Sequence, residues 1–386
     1  MSAGGRTRVL LWGPFPRDHG RPAANVGGYV RYNSLLLHST LASTVELVPH
    51  PVTIPAQGPA WARPVVLVGR LVVDAVGTVY GIVRWRPQVV HITAQYLRSI
   101  YREAWATLIA RMSGAAVLFD VRAGEFEAFA GRSGPVPRRL LAFIMRRASA
   151  ITVEGRRYQP FIEANWGRRS AWVPNFVLEE HLARHAPAEL VPPAEGEPIR
   201  LCYVGLLSPD KGVDVMLDAA RLISKERAVT ATLIGPVEPR LRPTLAAHEA
   251  WQDARYRVIV AGTMGLDQLL ATLRTQHLFV FLSRHAGEGH SNAVNEAMAM
   301  GLPVIASRQG FMEDVVTGEC GGLVDDARDP AEAAAAIRGL VGDWAALVRR
   351  GKAARRRMET VFNGATVLRT IAGLYEELGG RAVDSR

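Results

Sequence analysis

The sequence predicts an α/β protein built of two doubly wound, Rossmann-like domains that face each other across a cleft. Three observations carry that expectation. The 386 residues suit two domains of ordinary size. Short apolar runs alternate with longer helical stretches, and this series occurs twice along the chain. The runs are apolar throughout rather than alternating, as in strands covered on both faces. Strand–helix–strand repetition then implies parallel sheets with right-handed crossovers.

Taken in order, the strand candidates of the first half are 8–12, 45–48, 89–93, 116–119, 150–153 and 170–173. Those of the second half are 200–204, 229–234, 257–261, 278–282 and 303–306. The longest apolar stretch, 65–83, holds Arg70 and Asp74 four residues apart. Such a pair on one helix face fits an amphipathic helix better than a lipid-embedded one. The stretch 178–198 carries Pro187, Pro192, Pro193 and Pro198 and reads as a hinge. The expected divisions are a first Rossmann-like domain at 1–180, a linker at 181–198 and a second at 199–360. A C-terminal helix and tail at 361–386, with the helix over 361–378, packs back on the first domain. In doubly wound sheets ligands bind beyond the carboxyl ends of the strands, so the loops there are where chemistry is sought.

Charge is divided unevenly. Residues 1–200 carry 24 basic and 14 acidic side chains, whereas 201–386 carry 22 of each. The whole excess of +10 therefore belongs to the first half. Lysine occurs only at 211, 225 and 352, which draws attention to each. Two cysteines, Cys202 and Cys320, cannot form a disulfide framework, and no Cys/His spacing points to zinc. The apolar run 9–13 is too short for a signal-peptide core or a bilayer span. A cytoplasmic protein, peripheral on the inner face of the membrane, is expected.

Two segments concentrate chemistry. The first runs from Tyr203-Val204-Gly205 through Leu206-Leu207-Ser208-Pro209-Asp210-Lys211-Gly212 into a helix. Helix-start N–H groups beside one cation make an anion site, although the segment also fits a solvated loop lysine. The second follows the strand at 278–282. Its loop holds Glu288, Gly289, His290 and Ser291, and a helix runs from about Asn292 to Met300, closed by Gly301 and Pro303. Ser291 or Asn292 is the N-cap, and the helix start favours a diphosphate. Glu288 and Glu296 repel phosphate but can accept hydrogen bonds from sugar hydroxyls; either alone also reads as an ordinary surface glutamate.

Glu288-x7-Glu296 followed by Ala-Met-Ala-Met-Gly-Leu-Pro-Val-Ile-Ala-Ser resembles the signature of glycosyltransferase family 4, of the GT-B fold class. Val173-Pro174-Asn175-Phe176-Val177, the Gly205 to Gly212 segment and the loops at Gly235 and Gly262 are similar to further family segments. Pro87 to His91 and Gly27-Gly28 match its looser first-domain pattern, and Gly310 to Gly322 the segment after the carboxylate motif. The resemblance covers about residues 7–345. It implies a retaining hexosyltransferase using a nucleotide diphosphate sugar, in bacterial cell-surface polysaccharide or glycolipid synthesis, with a glycan or lipid-linked acceptor. Lys211 and Glu288 are then catalytic, Lys211 pairing with the diphosphate and Glu288 with hydroxyls of the donor sugar. Glu296 holds the ribose, the backbone from Gly289 through His290 and Ser291 to Asn292 assists, Gly205 and Gly262 are donor-binding, and backbone around Gly235 and Gly262 meets the base. Gly27 and Gly28 let backbone approach the phosphates. No metal and no other cofactor is expected.

The chain departs from the pattern twice. Leu206 stands where the family has Arg, leaving Arg17, Arg21 and Arg284 as candidates for a second cation. Arg122 or Asp120 stands where many members have His; with His91 they are the acceptor-side candidates. An arginine cannot be a general base, but it can anchor an anion. Histidines 91, 285 and 290 also read as structural. The segment 135–147, with Arg pairs on either side of an apolar run, is expected to meet anionic lipid, and the run Arg349 to Arg357 reads as a solvated face. Nucleic acid is excluded, because no aromatic interleaving accompanies the charge. The alternatives are a glycosyltransferase for a small natural product, a nucleotide-sugar epimerase, and a non-catalytic nucleotide-sugar-binding protein.

Overall fold

The computed structural model describes residues 6–15, 28–52, 63–122 and 124–384. Gly27, Arg17 and Arg21 lie outside them. The described residues divide into two compact units: one runs to Pro174 and resumes at Val367, the other is Asn175–Thr366.

Each unit is built on a six-stranded parallel sheet. In the first the strands are β1 (Arg8–Gly13), β2 (Glu46–Pro51), β3 (Val89–Ala94), β4 (Ala116–Val121), β5 (Ala150–Val153) and β6 (Ala171–Trp172), in the order β2-β1-β3-β4-β5-β6. The second holds β7 (Ile199–Val204), β8 (Val229–Ile234), β9 (Tyr256–Gly262), β10 (Leu278–Phe281), β11 (Val304–Ser307) and β12 (Gly321–Val324), in the order β12-β11-β10-β7-β8-β9. The second sheet, counted from β7, is the dinucleotide-fold order 3-2-1-4-5-6, whose direction of winding reverses between β7 and β10. That reversal point is where a ligand crevice opens.

The apolar runs are strands because both their faces are covered. Every residue of β3, β4 and β8 is buried. The expectation of two covered faces fails at β9, an edge strand, where Ile259 and Val260 are exposed. β12, which begins Gly321-Gly322, is not among the expected strands. The glycine is there for space: a Cβ on Gly321 would lie 2.0 Å from the Val304 carbonyl oxygen of the neighbouring strand.

In the 178–198 stretch the Ala188 N–H donates to the Met300 carbonyl and the Trp344 indole to that of Leu190. Two other expectations are changed. The Arg349 to Arg357 run is not a solvated face throughout. Arg355 donates to the carbonyls of Leu182, His185 and Ala299, and Arg357 to those of Asp314 and Val315. In the Pro135–Arg147 helix the apolar run is core, with Leu141, Ile144 and Met145 buried; Arg138, Arg139, Arg146 and Arg147 are exposed.

The last helix, Gly364–Asp384, belongs to the first unit from Val367 onward. It buries Ile371, Tyr375 and Leu378 there.

Candidate active site

The reversal point of the second sheet brings the two motif segments together. Beyond β7 the chain turns through Pro209–Lys211 into the Val213–Ser224 helix, and Gly212 makes that turn with φ +71°. A Cβ there would lie 2.0 Å from the Leu282 carbonyl at the end of β10, so only glycine lets the two strand ends approach. The approach places Lys211 Nζ 2.6 Å from Glu288 Oε2. Ser283 Oγ donates to the same oxygen at 2.6 Å. Glu288 is thus held by two donors on Oε2, while Oε1 takes none among the described residues and remains an acceptor.

The Glu288 loop is braced from below. Ser307 Oγ donates to the Ser283 carbonyl, and Gln309 Nε2 to that of His285. Gly310 has φ +66°, and a Cβ on it would lie 2.6 Å from the Glu288 carbonyl oxygen. His290 is turned inward: its Nε2 lies 2.7 Å from Asn295 Oδ1 and its ring stands edge-on to Phe362. Its carbonyl accepts from Asn175 Nδ2 at 2.7 Å. The side chain therefore shapes the loop, and the backbone of Gly289 to Asn292 is what the loop presents.

The Asn292–Ala299 helix follows, with Ser291 as N-cap. Ser291 makes no capping bond with its side chain, so the first-turn N–H groups keep their capacity for an anion. Glu296 is buried on the second turn of this helix. On the other side of β7, Gly205, Gly235 and Gly262 end three adjacent strands. The Gly205 N–H donates to Ile234, and the Gly235 N–H to Gly262. A Cβ on Gly235 would lie 1.9 Å from the Gly205 carbonyl oxygen, so these ends present backbone to a ligand.

Of the candidates for a second cation, Arg17 and Arg21 lie outside the described residues, and Arg284 is described. Leu206 is 45% exposed. Arg284 is committed to Asp214, with Nη2 at 3.2 and 2.9 Å from its two oxygens. Arg240 also reaches the β7 loop and is committed in the same way, with Nη2 2.8 Å from Asp210 Oδ2 and Nε 2.5 Å from Glu238 Oε1.

Sequence reasoning did not single out Ser283. Its 5-residue offset from Glu288 says nothing until the loop folds back.

In the first unit the acceptor-side candidates meet one another. Asp120 Oδ2 lies 3.0 Å from Arg122 Nη1 and 3.3 Å from His91 Nε2, and Thr152 Oγ1 donates to Oδ1 at 2.8 Å. Arg122 also lies 3.6 Å from Glu154 and stacks on the Tyr32 ring, 3.4 Å from its centroid. Tyr375 OH lies 2.6 Å from His91 Nδ1. Burial alone would raise the Asp120 pKa, but the Arg122 guanidinium and the His91 bond outweigh it and hold the carboxyl below its usual range. Burial works against Arg122 as well, and Asp120 first, then Tyr32 and Glu154, hold it charged. Gly28 opens the Gly28–Leu37 helix, and a Cβ on it would meet nothing within 4 Å.

The same architecture occurs in solved structures. Sucrose-phosphate synthase from Thermosynechococcus elongatus superposes with a TM-score of 0.72, covering 97% of this chain and 99% of that one at 18% identity. Anabaena HepE in complex with UDP gives 0.64 over 96% and 100%, at 13% identity. The fold is that of the GT-B glycosyltransferases. Within it, residues 198–343 match the family described as Glycosyl transferases group 1. Among curated relatives, the MMP alpha-(1->4)-mannosyltransferase of Mycolicibacterium hassiacum is 34% identical over 198 residues, 49% of this chain and 46% of that protein. The putative colanic acid biosynthesis glycosyltransferase WcaL of Escherichia coli is 32% identical over 208 residues, 51% and 49%. The chain thus spans less than half the length of these relatives. The group 1 match of the GT-B chain falls on the unit that holds Lys211 and Glu288.

Proposed function

We propose that the protein is a retaining glycosyltransferase of the family 4 kind, moving a hexose from a nucleoside diphosphate sugar to a glycan or lipid-linked acceptor in bacterial cell-surface polysaccharide or glycolipid synthesis. The observation that carries this reading is the meeting of Lys211 and Glu288 at the reversal point of the second sheet, 2.6 Å apart although 77 residues apart in sequence. Bound UDP in HepE, and the colanic acid biosynthesis named for WcaL, support the substrate class.

In this reading the bond between the sugar's anomeric carbon and the diphosphate breaks, and a bond to the acceptor oxygen forms on the same face. The acceptor proton passes to the departing phosphate oxygen. Lys211 and the N–H groups at the start of the Asn292–Ala299 helix stabilise the negative charge that develops on the leaving group, without a metal. Preorganised donors of this sort are worth about 100-fold or more in rate each. Glu288 Oε1 takes a donor-sugar hydroxyl, Glu296 the ribose, and the strand-end backbone at Gly205 and Gly262 the base.

The test is thermal stabilisation by UDP, GDP and ADP, followed by release of nucleoside diphosphate from matching sugar donors. One nucleotide is expected to raise the melting temperature. Lys211→Ala and Glu296→Ala should weaken that binding, and Glu288→Gln should cut release by about 100-fold. Unchanged binding and release in all three would overturn the assignment. Stabilisation without release from any donor and acceptor would favour a non-catalytic binding protein.

A further inference from the structure

The helix Arg63–Trp85 is amphipathic the wrong way round for a soluble surface. Its inner face combines polar and small residues with the buried Ile82. Asp74 is buried against Arg102 at 2.7 Å, and Thr78 Oγ1 accepts from the Trp12 indole at 3.0 Å. Gly77 and Gly81 pack over His50, where a Cβ on Gly81 would lie 2.9 Å from the ring. The outer face is apolar. Val68, Val72, Val73, Val76, Tyr80 and Val83 recur at helical spacing, and each exposes more than half of its surface. The stripe continues onto the next helix, Ile100–Met112, through Trp105 and Met112, both exposed. Between the two helices lies an open groove of about 390 Å³, lined by Ala75, Val76, Val79, Tyr80, Val83 and Trp105. A contiguous apolar face of this kind marks an interaction surface.

We propose that this face docks on an anionic bilayer, with the Arg63–Trp85 helix lying in the interface plane. Charge decides the occupant. Between residues 63 and 112 the only acidic residues are Asp74 and Glu103, and both are buried. Among the described residues the exposed charges between 63 and 112 are Arg84, Arg86, Arg98 and Arg111. An isologous contact with a second copy would bring this basic rim against an identical basic rim, with no acidic partner in it. Anionic headgroups are complementary to it. The rim has the chemistry of the headgroup boundary: Trp85 carries the Arg84 guanidinium at 4.7 Å from its ring, and Tyr80, Tyr101 and Trp105 have apolar bodies with polar tips. Among the described residues no helix is long and apolar enough to cross a membrane, so this one lies on it. The Pro135–Arg147 helix, whose apolar face is core, adds only its arginines.

The docking does not depend on the donor or the acceptor, and its readout is binding rather than turnover. The full chain is floated with vesicles of phosphatidylcholine alone and of equal parts phosphatidylcholine and phosphatidylglycerol. Co-flotation is expected with the anionic vesicles. The double variant Val76→Glu/Val83→Glu should lose it by about ten-fold or more, with the melting temperature unchanged because both side chains are exposed. Arg84→Glu/Arg86→Glu should do likewise. Hydrogen exchange of the unaltered chain should slow over 63–85 on addition of anionic vesicles. Retained flotation in both variants overturns the proposal. So does loss of flotation only in Arg138→Glu/Arg146→Glu, equal binding to neutral vesicles, or a solution dimer that Val76→Glu/Val83→Glu dissociates.

Discussion

Glu288 is a carboxylate kept nearly out of water by two donors on one of its oxygens, and the other oxygen is left to accept. A group held in this way is oriented before any ligand arrives, which is the condition for selective hydrogen bonding in a site. The orientation depends on glycine at 212, because the strand ends that carry Lys211 and Ser283 approach through it. Gly212→Ala is expected to cost about 3 kcal/mol or more, from the left-handed backbone and the overlap with Leu282. A urea unfolding midpoint measures this, and a midpoint like that of the unaltered chain would show that the turn relaxes. Lys211, Glu288 and Glu296 stand out in sequence by residue type and spacing. Ser283, Arg240 and the bond from Asn175 to the His290 loop do not, because nothing local distinguishes a serine or asparagine whose partner comes from a distant segment. Arg284 shows the converse: it fits a phosphate in sequence but lies against Asp214.

Among the elements, the strands were legible because a run covered on both faces must be apolar along its whole length. β12 was not, since its glycines answer to the space beside Val304 rather than to any strand preference. The entry to β10 carries a titration. His277 Nδ1 accepts from the Arg200 N–H, and the ring stands edge-on to Trp344. Burial first, then Arg200 and Arg227, push its pKa down to about 4. An unfolded histidine titrates near about 6.5. Between these values the unfolded chain binds the proton and the folded chain does not, so stability is full above the higher value and falls as pH drops toward the lower. Unfolding midpoints at neutral pH and at about pH 5 should differ accordingly, and His277→Gln, which keeps an acceptor for Arg200, should flatten the drop. A difference that persists in the variant would place the titration elsewhere. The 63–85 helix is the element where periodicity succeeded and orientation failed. Sequence shows an apolar stripe with one charge pair but not which stripe faces the sheet, and Trp12 and Arg102 decide that by satisfying Thr78 and Asp74.

For the whole molecule, the last helix rejoins the first unit from Val367 onward. Tyr375 on that helix closes the buried series Tyr375, His91, Asp120 and Arg122. Tyr375→Phe leaves His91 Nδ1 without that partner and should cost the first unit about 1 kcal/mol. Nucleotide stabilisation of the second unit should be unaffected, and paired melting curves with and without nucleotide check both parts. A loss of nucleotide binding would contradict the assignment of that site to the second unit. The amino-acid sequence determined by itself the two α/β halves, the carboxylate–lysine motif and the placement of the charge excess in the first half. These follow from composition and from spacing along one chain, which local physics constrains. Tertiary structure alone decided that Lys211 meets Glu288, that Asp120, Arg122 and His91 form one buried cluster, and that the 63–85 valines face outward. Each depends on the approach of segments distant in sequence, where partner and available space choose among side-chain arrangements that local preference leaves equal.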